Sequence, residues 1–316
     1  MENLFAFDST CEDGDITCGG NEQYNIKNIF DGLSDSLQEN QKHFNRFNFA
    51  NTAIKELESN FLRDITFNEV HIGDWRFGGV NVSLERVHTH AFSSCVNTLT
   101  LFWMWNSHVK YEPNNYNIFE MLSSFVNLEK ISVQSYNLTS IPDNAFQSTN
   151  GLQNQLSEIH FFQSPSLVSI GNNAFKDLKK LERLDLYNNN ISHIPSHAFA
   201  FQNPTNTTLT IDLRYNKLNS SSFEIGTFTN ALRPLKIYMR YNNITYLDEN
   251  IFSFLKSNDS SIDLKDNPIN CSDLKNCWIN ENSNILKNKL LNASCNGNGK
   301  SIFDSTIRDF DHCPHY

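Results

Sequence analysis

The sequence predicts an α/β solenoid, a chain of short coils that each add one strand to a parallel sheet. Three observations predict it. The stretch "LERLDLYNNNISHIPSHAF" sets Leu181, Leu184, Leu186, Asn189 and Ile191 in an LxxLxLxxNxL frame, with Ile194, Ala198 and Phe199 behind. The frame recurs from residues 128, 156, 181, 208, 234 and 259, at spacings of 28, 25, 27, 26 and 25 residues. Six of the seven cysteines lie toward the two ends, as staples on a long body would. Self-similarity at such a period marks an array whose units each bury a face against their neighbours.

The coils follow in chain order. Upstream the frame is weaker: Phe44, Phe47, Phe49 and Ile54 fit one coil, and Phe67, Val70 and Ile72 fit another. "CVNTLTLFWMWNSHV" fits a third in two registers, from Thr98 with Asn106 in the Asn slot, or from Val96 with Met104 there. The six regular coils complete a set of about nine. Within each, the apolar alternation is a short strand with one buried face. The inward Asn is costly unless backbone groups of the next coil satisfy its amide, so the Asn residues are expected to form a ladder. Phe92, Phe146, Phe175, Phe199, Phe228 and Phe252 recur behind the strands and predict an aromatic column, which gives part of the Phe excess a structural reason without any ligand.

Composition excludes several functions. A net charge of -10 with no Lys/Arg run argues against nucleic acid and against anionic membrane surfaces. No stretch approaches the ~18 apolar residues of a membrane span, so no membrane insertion is expected. Cysteine-rich ends imply an oxidising compartment. The start, "MENLFAFDSTC", lacks the basic and apolar regions of a signal peptide.

These coils resemble an extracellular leucine-rich-repeat protein. The resemblance implies a right-handed, curved solenoid with the parallel sheet on its concave face and disulfide-stabilised caps. It divides the chain into an N-terminal cap over 1–40, repeats over 41–266 and a C-terminal cap over 267–316. "NPINCSDLKNCWI", with Cys295 and Cys313, is similar to the four-cysteine cap of secreted members, and implies Cys271–Cys295 and Cys277–Cys313. Five residues separate the first two cysteines here, where the family has one. "CEDGDITCGG" resembles the last half of the N-terminal cap without its first two cysteines. Either an upstream segment carrying a signal peptide precedes Met1, or Cys11 pairs with Cys18. The run "HFNRFNFANTAIKELESNFLRDITFNEVHI" is similar to an arthropod group of secreted leucine-rich-repeat proteins. That group includes the non-catalytic subunit of oplophorus-luciferin 2-monooxygenase.

Function is expected in what the repeats leave variable. Outward strand positions collect His160, Phe162, Tyr187, Arg214, Tyr215, Tyr238, Arg240 and Tyr241, and Tyr and Arg are enriched where proteins bind partners. Another protein or a glycan is the expected partner on the concave face. Three sequons, Asn137, Asn190 and Asn243, share the tenth position of alternate coils and predict sugars along one edge.

No catalytic residue, cofactor or metal is expected. His88 with His90 and His193 with His197 read as loop residues. Asp185, Asp212 and Asp263 share one outward slot, where neighbouring Arg residues can neutralise them. Cys95 fills a buried apolar slot as an inert thiol. The expected protein is a secreted, glycosylated, non-enzymatic binding module. The alternatives are a non-catalytic oxygenase subunit and a piece of a receptor ectodomain; a chain ending three residues after Cys313 weakens the latter.

Overall fold

The structure is a computed structural model that describes residues 14–73, 81–147, 155–199, 201, 206–229, 232–257, 259–297, 299–304 and 313. The chain forms two compact units, Met1–Thr139 with Ala145–Ser166, and Ser140–Asn144 with Leu167–Tyr316.

The first unit carries β1 (Asp15–Gly20), β2 (His43–Asn51), β3 (Glu56–Leu57), β4 (Thr66–Ile72), β5 (Arg86–Val87), β6 (Leu101–Ser107), β7 (Lys130–Ser135) and β9 (Glu158–Phe161). Strands β1, β2, β4, β6, β7 and β9 pair in that order, all parallel, and β3 pairs with β5 behind them. Strand β1 lies in the segment assigned to the N-terminal cap and already belongs to the sheet. Helix α1 (Ile26–Ser36) follows it. Asn25 caps α1 by accepting from the Asn28 backbone N–H at 3.1 Å. Ile26, Phe30 and Ser34 are four residues apart, so they share the buried helix face. Phe30 meets Phe47, Phe61 and Phe67 at ring distances of 5.7, 5.6 and 6.2 Å. Phe-rich coils thus bury a core without the Leu frame.

The second unit carries β8 (Ser140–Ile141), β10 (Ser169–Ile170), β11 (Arg183–Asp185), β12 (Leu209–Asp212), β13 (Leu235–Tyr238), β14 (Ser261–Asp263) and β15 (Leu290–Leu291). Strands β11 to β15 pair in sequence order, again all parallel. Leu184, Ile211, Ile237 and Ile262 stand in register and are fully buried. Behind them, β8 and β10 pair through the "SI" dipeptides.

The Asn ladder is present in this unit. Asn216 donates to the Leu186 carbonyl of the preceding coil at 2.8 Å and to its own coil's Leu213 carbonyl at 3.1 Å. Its Oδ1 accepts from the Ile191 N–H at 3.0 Å. Asn242 and Asn267 repeat the pattern on Leu213 and Met239 at 2.9 and 2.8 Å. In each coil the preceding residue holds a positive φ, at Asn188, Tyr215, Tyr241 and Asp266, which turns the chain inward.

The third coil takes neither of the two expected registers. Phe102 pairs with Ile131 and Met104 with Val133, so the coil opens at buried Leu99 and Ser107 fills the ladder slot. The reason is chemical. Phe102 and Met104 have no polar atom to strand in the core, while the Trp105 indole N–H finds Ser132 Oγ at 2.9 Å on the outer face. In the first unit buried Asn51 makes the ladder bonds, donating to the Gly19 carbonyl of the preceding coil at 3.4 Å and accepting from the Ile54 N–H at 2.7 Å. Buried serines take the slot further on: Ser135 donates to the Val109 carbonyl at 2.6 Å, and Ser164 accepts from the Ser135 N–H at 3.0 Å.

The Phe column is present in the second unit. Phe199, Phe228 and Phe252 follow one another at 5.6 and 5.7 Å. In the first unit Phe92 instead clusters with Phe61, Phe102 and Phe47, and Phe146 with Phe119.

Cys271 is bonded to Cys295 and Cys277 to Cys313, the pairs that the cap resemblance implies. Trp278 is buried beside them and donates to the Leu247 carbonyl at 2.8 Å. Cys11 lies outside the described residues. Cys18 is a buried free thiol, and burial pushes its pKa up to about 12. Cys95 is buried and free as well, raised to about 11 by burial, so little reactive thiolate forms. Among the described residues no helix is long and apolar enough to cross a membrane.

Candidate binding surface

Strand alternation sends every second side chain to the outer sheet face. In the second unit that face is a lattice of carboxylates, guanidinium groups and phenols. Asp185, Asp212 and Asp263 were expected in an outward slot, yet all three are at most 3 % exposed. Arginine side chains cover them. Arg214 takes both Asp212 oxygens, with Nε at 2.9 and 3.0 Å and Nη2 at 2.5 Å. Arg240 reaches across to Asp263 at 2.5 Å, and Arg183 donates to Asp185 at 2.9 Å. Each of these buried carboxylates holds an arginine.

Arg214 in turn lies over two tyrosine rings. Arg214 sits 5.9 Å from the Tyr187 ring centre and 5.6 Å from that of Tyr238, while Lys236 lies 5.4 Å from Tyr238. Tyr215 and Tyr241 stand beyond the ends of β12 and β13, at the positive-φ turn. Their rings stack at 4.3 Å and 11°, with 48 % and 42 % exposure. Of the expected contact residues, Tyr187, Arg214, Tyr238 and Arg240 thus gather in this unit, while Tyr215 and Tyr241, expected at outward strand positions, stack instead at the turn.

The other two, His160 and Phe162, belong to the first unit. They border a cleft of about 390 Å³ lined also by Trp103, Trp105, Lys130 and Glu158. Sequence reasoning missed both tryptophans because the register of their coil was unresolved. Trp105 meets Trp103 at 4.8 Å and Phe162 at 5.7 Å, both edge to face. Glu158 pairs with Lys130 at 2.9 Å and with His160 at 3.3 Å. Burial raises the Glu158 pKa, but its bonds to Lys130 and His160 outweigh this and hold the carboxyl below the usual range.

His88 Nδ1 accepts from the His90 backbone N–H at 3.0 Å, and His193 pairs with Glu224 at 3.0 Å. Among the described residues no cluster of three His, Cys, Asp or Glu side chains is placed to hold an ion. Of the three sequons, Asn243 is exposed, while Asn137 and Asn190 are half-buried, and Asn137 donates to the His108 carbonyl at 3.1 Å.

The leucine-rich-repeat family model matches residues 154–203. The fold is a leucine-rich-repeat solenoid. Among solved structures the chain is similar to one in the octameric complex of Latrophilin 3, Unc5D and the leucine-rich-repeat part of FLRT2. That likeness has a TM-score of 0.54 at 14% identity, over 95% of this chain and 90% of that one. At such identity it is a likeness of fold. No curated protein matches the sequence.

Proposed function

We propose that this chain is a secreted, non-catalytic leucine-rich-repeat module that binds a partner protein through the tyrosine–arginine face of its second unit. The observation that carries this reading is the fixing of Arg214 and Arg240 on buried Asp212 and Asp263, with Arg214 also lying over the Tyr187 and Tyr238 rings. Arginines held in place before contact lose little side-chain entropy on binding, and Tyr and Arg dominate binding hot spots. The stacked Tyr215–Tyr241 pair adds exposed aromatic area at the rim. Disulfide-bonded Cys271–Cys295 and Cys277–Cys313 fit an oxidising, extracellular setting. The similar chain assembles with other proteins in its octameric complex, which fits a partner-binding habit.

The test is affinity capture from extracellular fluid, with the protein expressed behind a leader peptide as bait. A parallel bait carries Tyr238→Ala, Arg240→Ala and Tyr241→Ala. The expected result is a partner held by the first bait and lost by the second; retention by both refutes the assigned face. Co-capture of a catalytic oxygenase chain selects the subunit reading, which rests on the likeness of the N-terminal coils to the luciferin-monooxygenase group. Capture of a cell-surface receptor in place of a soluble partner selects the ectodomain reading.

A further inference from the structure

We propose that the aromatic cleft of the first unit, on β6, β7 and β9, binds a neutral saccharide, with one sugar ring laid on Trp105. This goes beyond the protein-binding reading, since it concerns another unit and another ligand chemistry.

The cleft holds about 390 Å³, within the range of about 300–1,000 Å³ typical of small-molecule sites. Its walls are aromatic, with Trp103 and Phe162 both edge to face against Trp105. Trp105 is fixed in orientation because its indole N–H donates to Ser132 Oγ at 2.9 Å. As acceptor in that bond, Ser132 keeps its own hydroxyl proton for a ligand. An indole face is electron-rich and attracts the polarised C–H groups on one face of a sugar ring.

The polar rim selects among ligands. Lys130 and Glu158 pair at 2.9 Å, so the rim sets one positive and one negative group side by side. Hydroxyl groups donate and accept at once, so a sugar can bridge that pair. A cationic side chain would meet a carboxylate already shared by Lys130 and His160, with the Lys130 ammonium repelling it. A purely apolar ligand would strip water from Lys130 and Glu158 without replacing it. An aromatic wall beside a balanced donor–acceptor rim fits a polyhydroxylated ring.

The test titrates the protein with cellotriose, maltotriose, mannotriose and chitotriose, following tryptophan fluorescence and binding heat. At least one is expected to give a saturable signal with Kd in the micromolar to low-millimolar range. Trp105→Ala and Glu158→Gln are each expected to weaken it about tenfold or more, which is about 1.4 kcal/mol. Unfolding curves establish that each variant is folded; should Trp105→Ala fail, Phe162→Leu replaces it. The Tyr238→Ala, Arg240→Ala, Tyr241→Ala variant is expected to keep saccharide binding, which separates this proposal from the partner-protein reading. No saturable signal from any of the four overturns the proposal, as does equal or tighter binding of a trimethyllysine peptide or of dodecanoate.

Discussion

Asn216 shows how one residue type holds this fold together. Its amide bonds two carbonyls of adjacent coils and accepts one backbone N–H, all in a buried site. Alanine would leave those groups without partners where water cannot replace them, at about 1–3 kcal/mol for each group left bare. Asn216→Ala is therefore expected to lower unfolding stability by about 2–4 kcal/mol in a urea titration, whereas Lys217→Ala, on the exposed side of the same turn, stays within about 0.5 kcal/mol. This position was legible in the sequence because Asn has the reach and bonding pattern to link coils. Its counterparts Ser107, Ser135 and Ser164 were not, since a buried serine looks like any other serine until its partners are known. Asn106 misled for a related reason: it adopts the positive φ that precedes the ladder slot, which Asn tolerates well.

At the scale of the strand, alternation fixed which residues face out but not how far out they end. Asp185, Asp212 and Asp263 occupy outward positions and are nonetheless buried, because arginines from the same or the adjacent strand fold over them. For Asp263, burial raises the pKa, but bonds from Arg240, Asn292 and the Lys265 N–H outweigh this and bring it below the usual carboxylate range. A lowered folded pKa means stabilisation that is fully present above the unfolded value of about 3.9 and is lost as pH falls through the folded one. Asp263→Asn is thus expected to cost stability at pH 6, and the gap from wild type should shrink steadily below about pH 4. Unfolding curves at pH 6, 4 and 3 check this; a gap that widens in acid would contradict the pairing. The cleft of the first unit follows from the same alternation, but it needed the register of β6 before Trp103 and Trp105 could be placed outward.

Across the whole molecule, each coil is stabilised chiefly by its neighbours, so the ends carry a burden that the interior does not. At the C-terminal end, β15 and Trp278 cover the last coils, and Cys277–Cys313 closes a separation of 36 residues. Removing that bond with Cys277→Ala and Cys313→Ala is expected to cost about 3–4 kcal/mol through loop entropy. Hydrogen exchange should show the loss first in β14 and β15, with β2, β4 and β6 keeping their protection. Uniform loss along the chain would mean that the coils unfold as one block.

The two disulfide pairs came from the resemblance of the C-terminal cap to that of secreted leucine-rich-repeat proteins. By itself the sequence determined the class of fold, the run of regular coils from 128 to 269 and the inward Asn residues. Each depends on local spacing, and spacing survives in one dimension. Only the tertiary structure decided the register of the tryptophan coil, the serine ladder, the burial of the aspartates and the division of the expected contact residues between a phenol–arginine face and an aromatic cleft. Those depend on side chains from different coils meeting, and a repeat frame that keeps its own period carries no record of which neighbour each variable residue will touch.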